Sequence, residues 1–507
     1  MGDDSMSKET LIKLEKLVIF FIILFLPITS LPQRFAIPAM GTTLSSYFLV
    51  LGLFLLLYEH IKFRINLNKN FLVYFLVFVG WQILCLALGL YFYEYNEYLT
   101  LDQSPKLAMI LSKLGSHGIV LNELVAFKIW LFFRFLKDIL FLNNQILVLA
   151  FLIWHLYKDD WRQGFYDIRK AVLCLVLLMG AYSFIELIWL KLRLPFSESF
   201  LKSVNVYLYD PVKYHGWWPP LLWWGQLRSL CHEPSFFGII SIFCLPFIWS
   251  FAFENSNRLI AFFLIPYYGL MIAATNARTA IIVTLGELFL LLLLTLMLKK
   301  KEWVKPVCII FICMFMGFGV NLINFKALLG YSNASLTQDL SKYAERNIVS
   351  VTKRDSRSNS ARLANMIANY ETIKDFPVFG VGTSLKDAYV DARLPEFSYT
   401  NNEVRNWSRY MHNEGGLKSG YPALNMYLDV AVKNGIVGLI LYMFPIIGLL
   451  FAFNRSRKLG LLDYEDFVAF ISFVGLLFAQ FSNTNLIVCN GITWGLMWCM
   501  VARNRDY

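Results

Sequence analysis

The stretch LRSLCHEPSFFGII, Leu227–Ile240, sets titratable side chains directly in front of an apolar run. Ionisable groups cost free energy in hydrocarbon, so a cluster at its edge needs a reason. Glu233 and Pro234 suit the first turn of a helix, where a carboxylate complements the helix dipole and proline is favoured. A carboxylate held there also suits general-base chemistry. The residues alone leave both roles for Glu233 open.

Two arginines are of the type that binds phosphate. Arg278 lies in a short turn, TNARTAII, between two apolar runs, and Arg362 lies near the start of NSARLANMIANYETIKDFPVFGVGTSL. A guanidinium binds phosphate oxygens in a planar, bidentate way, and a helix N-terminus adds attraction for an anion. The alternatives are that Arg278 reaches lipid headgroups and that Arg362 lies on a solvated helix face.

A second candidate base is His412, the only histidine in the polar segment 326–435. Its ordinary pKa suits general-base chemistry, although a lone histidine is more often a structural hydrogen-bonding residue. Further candidates for contacts to a glycan or a phosphate follow from residue type, since arginines bind phosphate and aromatic faces stack on sugars. They are Arg228, Arg357, Trp217 and Trp218.

The chain lacks the common motifs for metal or nucleotide chemistry. No Walker A, H-E-x-x-H or G-x-S-x-G sequence occurs, and no D-x-D lies in an outer loop. Most of the eight cysteines fall inside apolar segments, and no C-x-x-C is present. We therefore expect neither a metal site nor a cofactor.

The elements that must position these residues are membrane spans. The chain of 507 residues is 57% hydrophobic and only 16% charged, far less charged than a soluble domain. Runs of roughly 17 to 25 apolar residues mark spans. We predict an all-α polytopic membrane protein with twelve transmembrane helices, near 17–31, 43–59, 71–92, 139–157, 171–191, 235–253, 259–275, 279–298, 306–325, 436–453, 467–483 and 486–502.

Basic clusters flank the spans and predict the topology. If the N-terminal lysines are cytoplasmic, every strong cluster lies on that side, and both termini are inside. The net charge of +11 is thus explained without nucleic acid. The predicted parts are a bundle of spans 1–9 over residues 1–325, a large outer loop over 326–435 and spans 10–12 over 436–507. The other segments predicted to face outside are 93–122, 192–234 and 276–278.

Three local predictions accompany this topology. Glu123–Leu140 mixes charged and bulky apolar residues and predicts an amphipathic helix in the outer interface. Residues 360–374 form a second amphipathic helix, which ends at DFPVFGVG. Its apolar face comprises Leu363, Met366, Ile367, Tyr370 and Ile373. Near LDVAVKNGIVG we expect a short helix, a break at Gly435 and then span ten.

The order and placement of these motifs resemble the O-antigen ligase and O-antigen polymerase family. The resemblance rests on the arginine turn at 275–282, on RLANMIANYETIKDFPVFGVG and on NMYLDVAVKNGIVGLI. HEPSFFGII also looks like the E-P-S or E-P-N element that these polymerases carry before a span. The resemblance implies a metal-independent, membrane-embedded glycosyltransferase. Its substrate would be an oligosaccharide linked to undecaprenyl diphosphate, used at the outer face of the bacterial inner membrane.

The resemblance also implies roles for individual residues. In the family two outer-face arginines and a histidine form the site, and Arg278 and Arg362 match the arginines. The ligases tend to carry His-Asn-x-Tyr-Leu, whereas here Leu424 stands at the histidine position. This departure favours a polymerase. In that reading Glu233 or His412 is the base, and Arg278 and Arg362 bind the diphosphate of the donor.

Three functions follow, in order of preference. The first is a surface polysaccharide polymerase that joins lipid-linked repeat units, with membrane lipid and a chain-length regulator protein as further partners. The second is an O-antigen ligase, whose acceptor is lipid A core. The third is a flippase, which would show ionisable residues deep in several spans, and Glu186 and Asp466 are among the few candidates.

Overall fold

A computed structural model describes residues 7–37, 40–64, 68–209, 219–331, 335–337, 340–347, 357–414, 420–484 and 487–503. Trp217 and Trp218 lie outside the described residues, and of Arg357 only the backbone is described, so their contacts stay predictions. The described residues form helices joined by turns, with two isolated β-bridges and no strand. The predicted all-α class is confirmed.

The region before the HEPS stretch forms α1 (Lys8–Leu24), α2 (Leu44–Phe63), α3 (Lys69–Tyr91), α4 (Pro105–Ser116), α5 (Glu123–Asn143), α6 (Leu149–Tyr157), α7 (Trp161–Leu192) and α8 (Pro195–Leu208). A π-helical turn, Asn144–Val148, joins α5 to α6, so residues 123–157 are one continuous helix. This differs from the predicted separate interfacial helix. The physical reason is an apolar stripe at four-residue spacing whose members are buried: Phe127, Leu131, Phe135 and Ile139.

The centre of the bundle comprises α9 (Pro234–Trp249), α10 (Arg258–Thr275), α11 (Arg278–Leu298) and α12 (Lys301–Asn321). Almost every side chain of α9 is buried, and this helix packs against α7, α10 and α11. Gly238 allows α9 and α11 to approach closely, because a Cβ there would lie 2.7 Å from the Cβ of Ala280. The starts of α9 and α11, which carry Glu233 and Arg278, are therefore neighbours.

The large loop contains α13 (Phe325–Leu328), α14 (Leu340–Asn347), α15 (Arg357–Asp375), α16 (Lys386–Asp391) and α17 (Asn402–Glu414). Helix α15 confirms the predicted helix over 360–374, but the face that packs is different. Its buried face carries small residues, including Ala361, Ala364 and Ala368, whereas Leu363 and Met366 are exposed to a cavity. Alanines allow close helix packing, and this advantage outweighs the greater hydrophobicity of the other face.

Helices α18 (Met426–Lys458), α19 (Tyr464–Ala479) and α20 (Ile487–Arg503) complete the fold. Gly435 interrupts α18 with a φ of 68°, which confirms the predicted break. The segment after α15 lies in this interruption, where the Val381 N–H donates to the Val432 carbonyl at 2.8 Å. A Cβ on Gly435 would lie 1.9 Å from the Val378 carbonyl oxygen, so only glycine allows the loop to dock there.

Among the described residues, nine helices are long and apolar enough to cross a membrane. Each of the twelve predicted spans overlaps a helix. Three of them, at 17–31, 467–483 and 486–502, overlap shorter helices of 17, 16 and 17 residues, and the first of these helices ends at Leu24, seven residues before the predicted span does. The multi-pass character is confirmed, while the count of twelve and the orientation stay predictions.

Candidate functional site

A cavity of about 1060 Å³ lies between α9, α11, α15 and α19. Its polar lining comes from the starts of α9, α11 and α15 and from the turn after α19. Its polar residues include Gln226, Glu233, Ser235, Asn276, Arg278, Thr279, Asn359, Arg362, Ser482 and Asn483. Farther along α9, α11 and α19 the lining is almost wholly apolar. The cavity thus has one polar end and one apolar end.

The polar end contains the two predicted phosphate-binding arginines. Arg278 begins α11, and its Nη1 donates to Asn359 Oδ1 at 2.9 Å. Arg362, one turn into α15, donates from Nη1 to the Ser482 carbonyl oxygen at 2.9 Å. Burial and the neighbouring positive charge of Arg278 lower the pKa of Arg362. Two guanidinium groups that repel each other in one cavity make an anion favourable between them.

Glu233 lines the same end of the cavity. It occupies the N-cap position of α9, where its backbone is extended and its side chain does not cap the helix. Its Oε2 accepts a hydrogen bond of 3.0 Å from Ser235 Oγ, and its Oε1 lies 3.6 Å from His232 Nε2. The structure therefore brings Glu233 together with both arginines.

His412 lies elsewhere. It is on α17, and the described residues that line the cavity do not include it. Its Nε2 is 2.9 Å from Asp391 Oδ2, while the other oxygen of Asp391 accepts a hydrogen bond from the Tyr421 hydroxyl. Its Nδ1 is 3.4 Å from the Tyr98 hydroxyl. These contacts tie α17 to α16, which is the structural role that a lone histidine commonly has.

Arg228 is also separated from the cavity lining. Its side chain is 1% exposed, and its guanidinium donates to the carbonyl oxygens of Pro220 and Leu221, each at 2.8 Å. It also lies over the ring of Tyr209, 4.3 Å from the centroid. Arg228 therefore holds the segment before α9 in place, and the structure does not bring it to the polar end.

Several polar residues of the site were not expected from the sequence. Trp223 Nε1 donates to Gln226 Oε1 at 2.9 Å, and Asn276 Nδ2 donates to the Gly225 carbonyl at 3.1 Å, so this segment borders the arginine turn. The backbone carbonyl oxygen of Ser482 accepts the hydrogen bond that fixes Arg362. The signal for Ser482 was a polar cluster, FSNTN, between two apolar runs.

The lining of the cavity follows α11 from residue 278 at the polar end to residue 293 at the apolar end, about 22 Å of helix at 1.5 Å per residue. Gly286 faces open space, because a Cβ there would meet no atom within 4 Å. Glu287 lies on the edge of this region against Gly475, is 2% exposed and has no hydrogen-bond partner among the described residues. An extended apolar group of this length fits the region.

No described group of three or more histidine, cysteine, aspartate or glutamate side chains is placed to hold a metal ion. The charged groups of the described cavity lining are Glu233, Arg278, Arg362 and the deeper Glu287. Such an arrangement is chemically suited to a molecule with an anionic head and a long apolar tail. It also places one carboxylate where it can accept a proton beside that head.

Residues 259–443 match the sequence model of a family described as O-antigen ligase. This match confirms the resemblance to the O-antigen ligase and polymerase family that the sequence motifs indicated. The matched segment contains Arg278, Arg362 and His412. Glu233 lies N-terminal to it, outside the match. The family indicates a glycosyltransferase-like membrane enzyme whose substrates are lipid-linked oligosaccharides. No curated protein matches the chain.

Proposed function

We propose that this chain, with its O-antigen ligase match over residues 259–443, is a surface polysaccharide polymerase. It transfers an oligosaccharide from undecaprenyl diphosphate to another lipid-linked repeat unit at the outer face of the bacterial inner membrane. The observation that carries the proposal is the two-part cavity, in which two arginines lie at the end of a long apolar groove.

The donor fits this cavity by its chemistry. The polyprenyl tail lies in the apolar part along α11, where burial of hydrocarbon stabilises binding. The diphosphate lies between Arg278 and Arg362, which act without a metal ion by forming charge-assisted hydrogen bonds to its oxygens. The first sugars lie against Trp223, Gln226 and Asn276, which combine an aromatic face with amide groups.

The reaction follows from these positions. The acceptor hydroxyl oxygen forms a bond to the anomeric carbon as the bond from that carbon to the diphosphate oxygen breaks. Glu233 accepts the hydroxyl proton. The diphosphate leaves with both electrons of the broken bond, and the arginines stabilise the charge that develops on it. His412 would have to leave Asp391 and reach the cavity to take the place of Glu233, so we assign the base to Glu233.

The choice of polymerase over ligase is supported at Leu424. This residue lies beside a small space lined by Asn365, Lys386 and Asp429, and its side chain offers no group that could accept a proton. The ligase alternative, with lipid A core as the acceptor, is favoured by the description of the matched family.

The residues that could have supported a flippase have local roles. Glu186 accepts hydrogen bonds from the backbone N–H groups of Arg228 and Ser229. Asp466 pairs with Arg503 at 2.8 Å and belongs to the capping box of α19. Neither lies in the cavity, so these ionisable residues do not mark a transport path among the described spans.

Deletion of the gene, with complementation by the wild-type chain, tests the proposal on gels of surface polysaccharide. A polymerase predicts that the deletion strain carries a single repeat unit on its lipid core. Accumulation of lipid-linked polymer would instead identify a ligase, and loss of every outer-face intermediate would identify a flippase. Long chains of normal length in the deletion strain would reject all three functions.

A further inference from the structure

Glu233 has a neighbour that does not line the cavity. His232 lies on the far side of the carboxylate, with Nε2 3.6 Å from Glu233 Oε1, and its side chain is 14% exposed. Glu233 itself is 27% exposed and faces the cavity. A carboxylate that acts as a base needs a fixed direction, because proton transfer depends on hydrogen-bond geometry.

The imidazole of His232 is fixed from several directions. Its Nδ1 is 2.6 Å from the hydroxyl oxygen of Thr29, a residue in the turn between α1 and α2. Its ring packs on Phe236 with 4.1 Å between centroids, and its carbonyl accepts a hydrogen bond of 3.3 Å from Arg228. A distant part of the chain therefore holds this ring, and local packing prevents it from turning.

The protonation state follows from these surroundings. Burial and the nearby charge of Arg228 lower the pKa of His232 to about 4, so the ring is neutral at pH 7. A neutral imidazole has one N–H and one acceptor nitrogen. The carboxylate of Glu233 is an acceptor only, which favours the proton on Nε2. Nδ1 then accepts a hydrogen bond from the Thr29 hydroxyl.

We propose that Thr29 and His232 form a positioning pair that aims the Glu233 carboxylate into the cavity. The inference rests on the proposed function, in which Glu233 is the base. His232 keeps its own proton throughout, and the acceptor proton moves to Glu233 alone. His232 is thus a positioning residue, because it acts through Glu233 and has no described contact with the cavity.

The experiment measures transfer between lipid-linked repeat units by the full chain in membranes, as a function of substrate concentration and pH. In His232→Ala, kcat falls about 10- to 100-fold with little change in KM, which is part of what a positioned base contributes. The acidic limb of the pH profile moves to higher pH, because the carboxylate loses the polar N–H group that faces it at 3.6 Å and then takes up a proton more readily.

Two variants and one control keep the inference falsifiable. His232→Gln retains an N–H donor near the Nε2 position and recovers most of the lost kcat. Thr29→Val leaves His232 in place but removes the hydroxyl that hydrogen-bonds to its ring, and we expect a loss of kcat between those of the wild type and His232→Ala. His117→Ala is the control, since His117 is exposed and contacts only its own turn after α4. It leaves kcat unchanged.

Failure of the inference can be told apart from failure of the function. If the wild type transfers glycan and Arg278→Ala does not, the function stands. Equal kcat in the wild type, His232→Ala and Thr29→Val, with an unmoved acidic limb, then overturns the positioning pair. If His232→Ala does not reach the membrane, His232→Gln and Thr29→Val decide alone, and wild-type behaviour of Thr29→Val counts against the pair.

Discussion

Two regions of the molecule each place a pair of cations side by side, and they differ in what lies between them. In the large loop, Lys386 and Lys433 hold the carboxylate of Asp429, with 2.9 Å between Lys386 Nζ and Asp429 Oδ1. In the cavity, Arg278 and Arg362 are neighbours, and among the described residues no carboxylate forms an ion pair with either.

The difference separates a structural pair from a binding pair. In the loop the chain supplies the anion, and the pair of Lys386 with Asp429 links α16 to the start of α18. In the cavity each arginine is oriented by one neutral oxygen among the described residues, and a guanidinium has five N–H donors. Arg362 also experiences the negative charge of Glu403, but it forms no ion pair with a described carboxylate, so the two arginines beside open volume are suited to an anion from outside the chain.

The largest expected effect breaks the cavity pair. Arg278→Ala and Arg362→Ala each lower transfer by about 10²- to 10³-fold, because the leaving diphosphate loses a charge-assisted hydrogen bond. Gels of surface polysaccharide should show loss of long chains, while immunoblots of membranes show normal protein. Normal chain length in both variants would remove the arginines from the site.

The loop pair should respond in the opposite way. Asp429→Asn leaves the buried Lys386 and the half-buried Lys433 without the carboxylate that pairs with both, and breaking such a buried pair costs about 3–5 kcal/mol of stability. We expect a clearly lower unfolding temperature of the purified protein in detergent, whereas Arg278→Ala unfolds close to the wild type. Equal unfolding temperatures of these two variants would contradict the distinction between the regions.

A smaller effect tests the apolar half of the cavity. Gly286→Phe places a ring in the groove, starting from a position where a Cβ meets no atom within 4 Å. We expect the KM for the lipid-linked donor to rise about 10-fold, because the tail loses hydrophobic burial. Gly448→Phe is the matched control, since Gly448 is also a helical glycine with open space but lies outside the cavity. A similar rise in both variants would argue against a tail in the groove.

The smallest expected difference is in the response to acid. His232, beside the cavity, has its pKa lowered by burial to about 4, so its contribution to stability is present above pH 6.5 and is lost as pH falls through 4. Burial raises the pKa of Asp387, beside the loop pair, to about 6. Its contribution has the opposite sign, and stability falls as pH rises from about 4 to 6.

Unfolding temperatures of the wild type and two variants between pH 4 and 7 measure these slopes. His232→Gln loses the part of the rise in stability with pH that His232 causes. Asp387→Asn loses the opposing fall, so the stability of this variant rises more steeply with pH than that of the wild type. Slopes that shift in the same direction in both variants would be incompatible with these surroundings.

The sequence was a good guide where a single local property decides the structure. Apolar runs predicted helices, and Gly435 predicted the break in α18, because a positive φ favours glycine. The amphipathic pattern predicted α15 but not its packed face. Leu363 and Met366 line the cavity, which only the arrangement of four separate helices creates.

The candidate site was predicted in part. Glu233, Arg278 and Arg362 were expected on one side of the membrane, and the structure brings all three to one cavity. The fold-back of His412 to the same place is not seen, because Asp391 holds its ring. Thr29 could not be predicted, since its contact with His232 joins residues 203 positions apart and leaves no local pattern.

The hydrogen bond from Arg362 to Ser482 has a consequence for biogenesis. Ser482 lies in the turn between α19 and α20, whereas Thr29 lies in the turn between α1 and α2. The polar end of the cavity is therefore complete only after the α19–α20 hairpin has inserted. A chain inserted only as far as α18 lacks the partner that fixes Arg362, so it does not yet hold an assembled cavity.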